Sequence, residues 1–322
     1  MATHNDLKWL TRFSVNITSN SNKVYANGCQ QLEVSVSVTP KAGAELTDEQ
    51  MNSIRLVIQD DDGVYQELSG ELSASTERDI RFEYYGASGT APSPLMDGGR
   101  ARRKFYVSSI RPGGSLDKIY AVIKKDQDTT YGSYTSFFNS SVTVESIAPL
   151  RLRKQDMLFT VKDAYGESIH SSSGILNDTA DFNLWTLSLP NGLRIVSSIP
   201  YGVPTEQVYF QTYRDVTPWH YYLTVNNDAS GINRRYTTYM HYAFDVGPAF
   251  YFDDHGAHRG QVRINDVAGT MSFLRVALTT TTNTPVQFTE TSRWELLDHL
   301  GNSHRIEMIQ ADDPNKLDFI VH

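Results

Sequence analysis

The chain has 322 residues, enough for two domains or one large one. Its 39% hydrophobic and 20% charged residues are those of an ordinary globular protein, and no apolar run reaches the length of a membrane-spanning helix. With 29 basic against 37 acidic side chains the net charge is −8, the wrong sign for gripping phosphate backbones, so nucleic acid is set aside as a partner.

The segment Met1 to Phe13 lacks the apolar stretch and small-residue cleavage site of a secretory signal, which predicts a cytoplasmic protein or one released without a Sec signal peptide. The single cysteine, Cys29, has no partner for an internal disulfide and is expected in a turn or at a strand end. Leu32, Val34, Val36 and Val38 alternate with Glu33, Ser35, Ser37 and Thr39, the period of a half-buried strand. Thr47 and Gln50 have the spacing of a capping box and predict one turn of helix. Shorter alternations follow at Ile54 to Ile58, Ile119 to Ile123 and Val142 to Val144. Between them, Tyr84 to Arg103 is rich in Gly and Pro and is expected as a long exposed loop, and the basic run Arg100 to Lys104 as its solvated end.

Strand-like runs continue through the second half, at Phe159 to Val161, Leu184 to Leu189, Val208 to Phe210, Tyr221 to Val225, Tyr239 to Phe244, Val262 to Ile264, Leu274 to Val276, Trp294 to Leu296 and Phe319 to Val321. No stretch shows sustained helical periodicity, and the 18 Tyr and 14 Phe favour pleated surfaces. Asp-x-x-Gly recurs at Asp60, Asp163, Asp228, Asp253, Asp266 and Asp298, several-fold more often than chance placement would give. Asp at the first position of a type I turn accepts backbone amides and Gly at the fourth takes positive φ, so the repeat predicts hairpins. The expected fold is therefore all-β, an antiparallel β-sandwich in two sandwich-like domains, residues 1–148 and 149–322, divided at Ile147-Ala-Pro149.

Val24-Tyr-Ala-Asn-Gly28, followed by the alternating strand Gln30 to Val38, resembles the opening strands of bacterial immunoglobulin-like domains of invasin-type adhesins and of phage or secretion-system surface proteins. The resemblance covers about a tenth of the chain and implies an immunoglobulin-like first domain, with no catalytic residue attached to it.

Chemistry-bearing residues are sparse. No nucleophile elbow, phosphate loop, His-Glu-x-x-His or Cys-x-x-Cys is present, so no catalytic residue, metal ligand or cofactor is assigned. The aromatic-rich stretch from Tyr201 to Phe252 carries the best binding candidates, Tyr213, Trp219, Tyr222, Arg234 and Tyr251, with His255 and His258 just beyond. Exposed rings beside Arg and His suit a sugar face or a protein partner, although the same rings suit a thick core. The reading this favours is a non-catalytic binding or structural module for surface recognition or assembly, with a protein or glycan partner, no integral membrane segment and room for a homo-oligomer. On that reading, replacing Trp219 and Tyr222 by Ala abolishes binding without unfolding the chain. The alternatives are a soluble membrane-active toxin, suggested by the Thr-rich segment Leu278 to Pro285, and a metal-dependent hydrolase built on Asp254, His255 and His258.

Overall fold

The computed structural model describes residues 9–86, 101–170, 177–201, 220–227, 233–241, 249–254, 258–263, 267–280, 292–310 and 316–322. The chain divides into two compact units, Met1–Leu150 with Leu300–Asn302, and Arg151–His299 with Ser303–His322. It is almost entirely β-structure, as the alternation and the turn signals predict.

The first unit contains β1 (Leu10–Ile17), β2 (Lys23–Tyr25), β3 (Leu32–Pro40), α1 (Asp48–Asn52), β4 (Arg55–Gln59), β5 (Tyr65–Glu67), β6 (Leu72–Ser75), β7 (Ala101–Ser109), β8 (Leu116–Lys124), β9 (Thr130–Gly132) and β10 (Val142–Ile147). They form two sheets, β1-β3-β7-β6 and β2-β10-β8-β4-β5, with β9 added to β8. One hydrophobic core joins the sheets, with Phe13, Val34 and Val36 from the first meeting Leu56, Ile119 and Ala121 from the second. Among the described pairings only β2 with β10 is parallel; the rest are antiparallel.

Local chemistry accounts for the connections. The Thr47 hydroxyl accepts from Gln50 N at 3.1 Å while the Gln50 side chain accepts from Thr47 N at 3.0 Å, the reciprocal cap expected of that spacing. In the turn between β2 and β3, Asn27 Oδ1 accepts from both Cys29 N and Gln30 N at 2.9 Å, and Gly28 takes φ +72°. Between β4 and β5, Asp60 Oδ1 accepts from Asp62 N and Val64 N, and Gly63 has φ +80°.

Two expectations are corrected here. The polar face of β3 is buried too: Glu33, Ser35 and Ser37 are all inaccessible because β1 and β7 flank the strand on both edges and other side chains cover it. Glu33 accepts from Thr18 Oγ1 at 2.7 Å and Tyr84 OH at 3.2 Å and pairs with Lys104 Nζ at 3.0 Å. The basic run Arg102 to Lys104 is not a loop end but the body of β7, held there by pairing with Ser37 to Ser35 of β3. Lys104 serves Glu33, and Arg103 Nη1 donates to Met51 O at 2.8 Å.

The second unit contains β11 (Leu158–His170), β12 (Asn177–Ser188), β13 (Ile195–Tyr201), β14 (His220–Asn227), β15 (Asn233–His241), β16 (Ala249–Asp254), β17 (His258–Arg263), β18 (Met271–Thr280), β19 (Ser292–Asp298), β20 (Ser303–Gln310) and β21 (Leu317–Val321). Its sheets are β11-β12-β18-β15-β14, β13-β19-β20-β21 and the hairpin β16-β17. The first two share a core: Trp185, Leu187 and Phe273 from one meet Trp294, Ile306 and Phe319 from the other. Asp253 and Asp298 lie at the ends of strands in antiparallel hairpins, as expected of the repeat, while Asp228 lies outside the described residues. Asp163 does not: it lies inside β11, where the register slips between Asp163 and Tyr165, so the motif there marks a bulge-like irregularity rather than a turn.

Candidate functional site

Among the described residues of the second unit, a recess lies at one side of its sandwich. Two edge strands run there, β11 of the five-stranded sheet and β21 of the four-stranded sheet. Phe159, Trp185 and Phe319 line the space beside them. Phe159 of β11 stacks on Trp185 of β12 with ring centroids 4.9 Å apart and planes at 27°. It also meets Phe319 of β21 edge-on at 5.2 Å and Phe273 of β18 at 6.1 Å, so one ring ties both sheets together.

A short 3-10 turn at Lys154–Asp156 leads into β11 and straps the opening. Arg153 N donates to Asp156 Oδ2 at 2.8 Å and the guanidinium reaches Asp156 Oδ1 at 3.1 Å. The Arg153 bond holds the Asp156 carboxyl below the usual carboxylate range, and the same bond raises the guanidinium. Lys154 Nζ donates to Asp318 Oδ2 at 2.6 Å and lies 5.5 Å from the Phe319 ring centre. Both cations at the mouth are thus already matched by carboxylates of the same unit.

What remains is an open recess of about 710 Å³ lined by Met157, Leu158, Phe159, Trp185, Leu317 and Phe319 together with Arg153, Lys154, Gln155 and Asp318. That size is ordinary for a small-ligand or side-chain pocket. Leu158 stands at the mouth 61% exposed, unusual for a leucine beside an aromatic cluster. Trp185 is buried and its Nε1 has no acceptor. With its charged lining residues paired internally and the rest of its lining mostly apolar, the recess suits an uncharged apolar or aromatic group better than a phosphate or carboxylate.

The residues singled out from the sequence fare unevenly. Tyr213, Trp219 and His255 lie outside the described residues. Tyr222 is on β14, opposite Thr238 of β15, and Arg234 is on β15, opposite Asn226. Tyr251 is on β16 opposite Gln261, and His258 is on β17 opposite Asp254. The four described residues therefore sit on two different sheets. For the metal reading, Asp254 and His258 are register partners, and among the described residues no group of three or more His, Cys, Asp or Glu is gathered closely enough to hold a metal ion. No helix among the described residues is long and apolar enough to cross a membrane.

Sequence reasoning predicts the strands that carry Phe159, Trp185 and Phe319 but not their convergence. Nothing in the spacing of three aromatics spread from the start to the end of the second unit says that two of them stand on neighbouring sheet edges. A partial signal was present in Arg153-Lys-Gln-Asp156, whose reciprocal Arg and Asp mark a turn immediately ahead of a strand.

No family model and no curated protein matches the chain. Among solved structures, the chain is similar to a partial N-terminal region of the enterococcal surface protein at 9% identity, over 94% of this chain and 93% of that one, with a TM-score of 0.18. It is also similar to the collagen-binding domain of the Erysipelothrix rhusiopathiae surface protein RspB at 10% identity, over 98% and 94%, with a TM-score of 0.17. Similarity of this size does not amount to a shared fold.

Proposed function

We propose that the chain is a non-catalytic recognition module whose second unit captures an apolar or aromatic side chain of a protein partner in the recess between β11 and β21. The supporting observation is the combination of an aromatic-walled cavity with a mouth whose cations are already paired. Binding hot spots take this form: a desolvated pocket accepts one anchor while surrounding contacts exclude water. The exposed Leu158 extends the apolar surface from the cavity to the outside, so a partner's backbone can run along β11 with its anchor inserted. An immunoglobulin-like first unit and a place at a cell or particle surface belong to the same reading.

The test is selection of random peptides on the full chain, followed by affinity measurement with the selected peptides. The expected consensus carries one Phe, Trp, Tyr, Leu or Met anchor, and Leu158→Asp weakens binding by roughly tenfold or more. Peptides without an apolar anchor, or equal binding by a folded Leu158→Asp variant, would sink the assignment.

A further inference from the structure

The first unit contains a recess of a different character, where the edge strands β6 and β5 end the β1-β3-β7-β6 and β2-β10-β8-β4-β5 sheets. Both edges stop short of their neighbours. β6 pairs with β7 only from Leu72 to Ser75, against Ser109 to Tyr106, and β5 pairs with β4 only from Tyr65 to Glu67, against Gln59 to Val57. Among the described residues, β7 from Phe105 back to Ala101 and β4 at Arg55 therefore have no strand on that side. A recess of about 400 Å³ occupies the gap, lined by Arg55, Leu56, Leu68, Thr76, Arg103 and Phe105 among others.

The recess draws a cation from the core-facing row of β7. Arg103, Phe105 and Val107 stand opposite Val36, Val34 and Leu32 of β3, all core residues, so alternation turns the Arg103 side chain to the same side. Its Nη1 donates to Met51 O at 2.8 Å and to Asn52 Oδ1 at 2.9 Å, and the guanidinium carbon lies 5.6 Å from the Phe105 ring centre. Arg55 Nη1 donates to Asn52 O at 2.6 Å, which brings a second guanidinium to the same residue. These bonds satisfy carbonyls at the end of α1 and use one nitrogen of Arg103. Its Nε and Nη2 make no hydrogen bond with the described residues, and neither is among the solvent-inaccessible atoms left without a partner, so both can be reached from outside. Glu67 lies 3.5 Å from Arg55 Nε and is well exposed, and among the described residues no carboxylate pairs with Arg103. Burial and the neighbouring Arg55 both bias Arg103 against its charged form.

The unspent edge of Arg103 selects the ligand. In a guanidinium the Nε–H and one Nη2–H run parallel, a fork that fits the two oxygens of a carboxylate. An ammonium or guanidinium group would meet two cations. A neutral amide accepts from the fork but leaves the excess positive charge unanswered. Leu56, Leu68 and Phe105 are buried apolar side chains at the base of the recess, and they suit the carbon body of an organic acid better than a hydrated inorganic anion. Thr76, one residue past β6, lines the same recess and is exposed, and its hydroxyl makes no hydrogen bond with the described residues, so it is available as a further donor.

We infer that this recess binds a small organic carboxylate, its two oxygens on Nε and Nη2 of Arg103 and its carbon body against Leu56, Leu68 and Phe105. The inference is independent of the recess in the second unit. The full chain is titrated at fixed ionic strength with butyrate, butyramide, butylammonium and inorganic phosphate, and binding is read from the backbone amide shifts of Thr76 and Phe105 by NMR. An acetylated Gly-Gly-Val tripeptide with a free carboxylate is run alongside; whichever acid binds more tightly identifies a free acid or a chain terminus as the source, and either supports the site. Saturable shifts are expected with the acids, none with butyramide or butylammonium, and binding of phosphate roughly tenfold weaker or less. Arg103→Lys keeps the charge and loses the fork, and is expected to weaken butyrate roughly tenfold or more. If Arg103→Lys does not fold, Thr76→Val decides, because that exposed hydroxyl supports no other group, and a loss of about threefold at unchanged melting temperature is expected. No saturable shift with either acid, equal shifts with butyramide, phosphate as tight as butyrate, or butyrate binding unaltered in the deciding variant would each overturn the inference.

Discussion

Glu33 and Asp117 are buried carboxylates of the same unit, each facing one cation, and their surroundings push them in opposite directions. Burial raises both, but at Glu33 the Thr18 hydroxyl, Lys104 and the Tyr84 hydroxyl outweigh it and leave the acid below its usual range. At Asp117 only Arg111 answers, and the acid ends above it. The difference lies in the number of donors rather than in depth. Burial alone therefore does not set the direction of a carboxylate's shift in this protein; the number of donors does. The β3–β7 face is a fully bonded network, whereas one oxygen of Asp117 is left without a donor.

The largest expected break in that comparison is Glu33→Ala. It strands the Tyr84 hydroxyl, itself buried, and removes the partner of Lys104. Losing hydrogen bonds to a buried charge costs about 2–3 kcal/mol. Asp117→Ala removes one pair together with a desolvated charge that its surroundings under-compensate, and is expected to cost less than Glu33→Ala. Urea unfolding followed through amide exchange of β3 and β8 measures both, because a chain of two units need not unfold in one step. Equal losses at the two sites would erase the distinction.

Much of this architecture was legible in the sequence, and the exceptions are instructive. The alternating valines of β3, the Thr47–Gln50 cap and the Asp60 turn are each set by neighbours a few residues away, so spacing alone reveals them. The polar face of β3 reads as solvent-exposed because nothing local announces that Lys104 and Tyr84 will cover Glu33 from distant parts of the chain. The same limit hid the recess of the second unit. Phe159 and Phe319 meet only because two sheets end side by side. Aromatic density points to Tyr201–Phe252, of which the described strands carry Tyr222, Arg234 and Tyr251 on two separate sheets. Composition marks where rings are abundant, while a site depends on where pairing leaves a gap.

An intermediate effect separates local from distant support. Thr47→Ala removes one half of the capping box of a five-residue helix that buries none of its own residues. A loss of about 1 kcal/mol is expected, seen as faster amide exchange at Gln50 and Met51 with β3 unaffected. Slower or unchanged exchange at those amides would mean that Arg103, which donates to Met51 O and Asn52 Oδ1, holds the helix without its cap.

The smallest effect is the most discriminating, because it turns on sign rather than size. A carboxyl held below its ordinary pKa adds stability that is present above the ordinary value and lost as pH falls through the folded value; Glu33 belongs to this class. A carboxyl held above it adds stability that is full below the ordinary value and lost as pH rises through the folded one; Asp117 belongs to that class. On acidification from neutral pH, the advantage of the parent chain over Asp117→Asn should therefore grow first, across the window between the raised folded value and the ordinary carboxylate value. The advantage over Glu33→Gln should instead shrink, starting once pH falls below the ordinary glutamate value. Melting temperatures of the three proteins measured from pH 7 to 3 give the two differences directly. Differences that shrink together would show that Asp117 is as fully satisfied as Glu33.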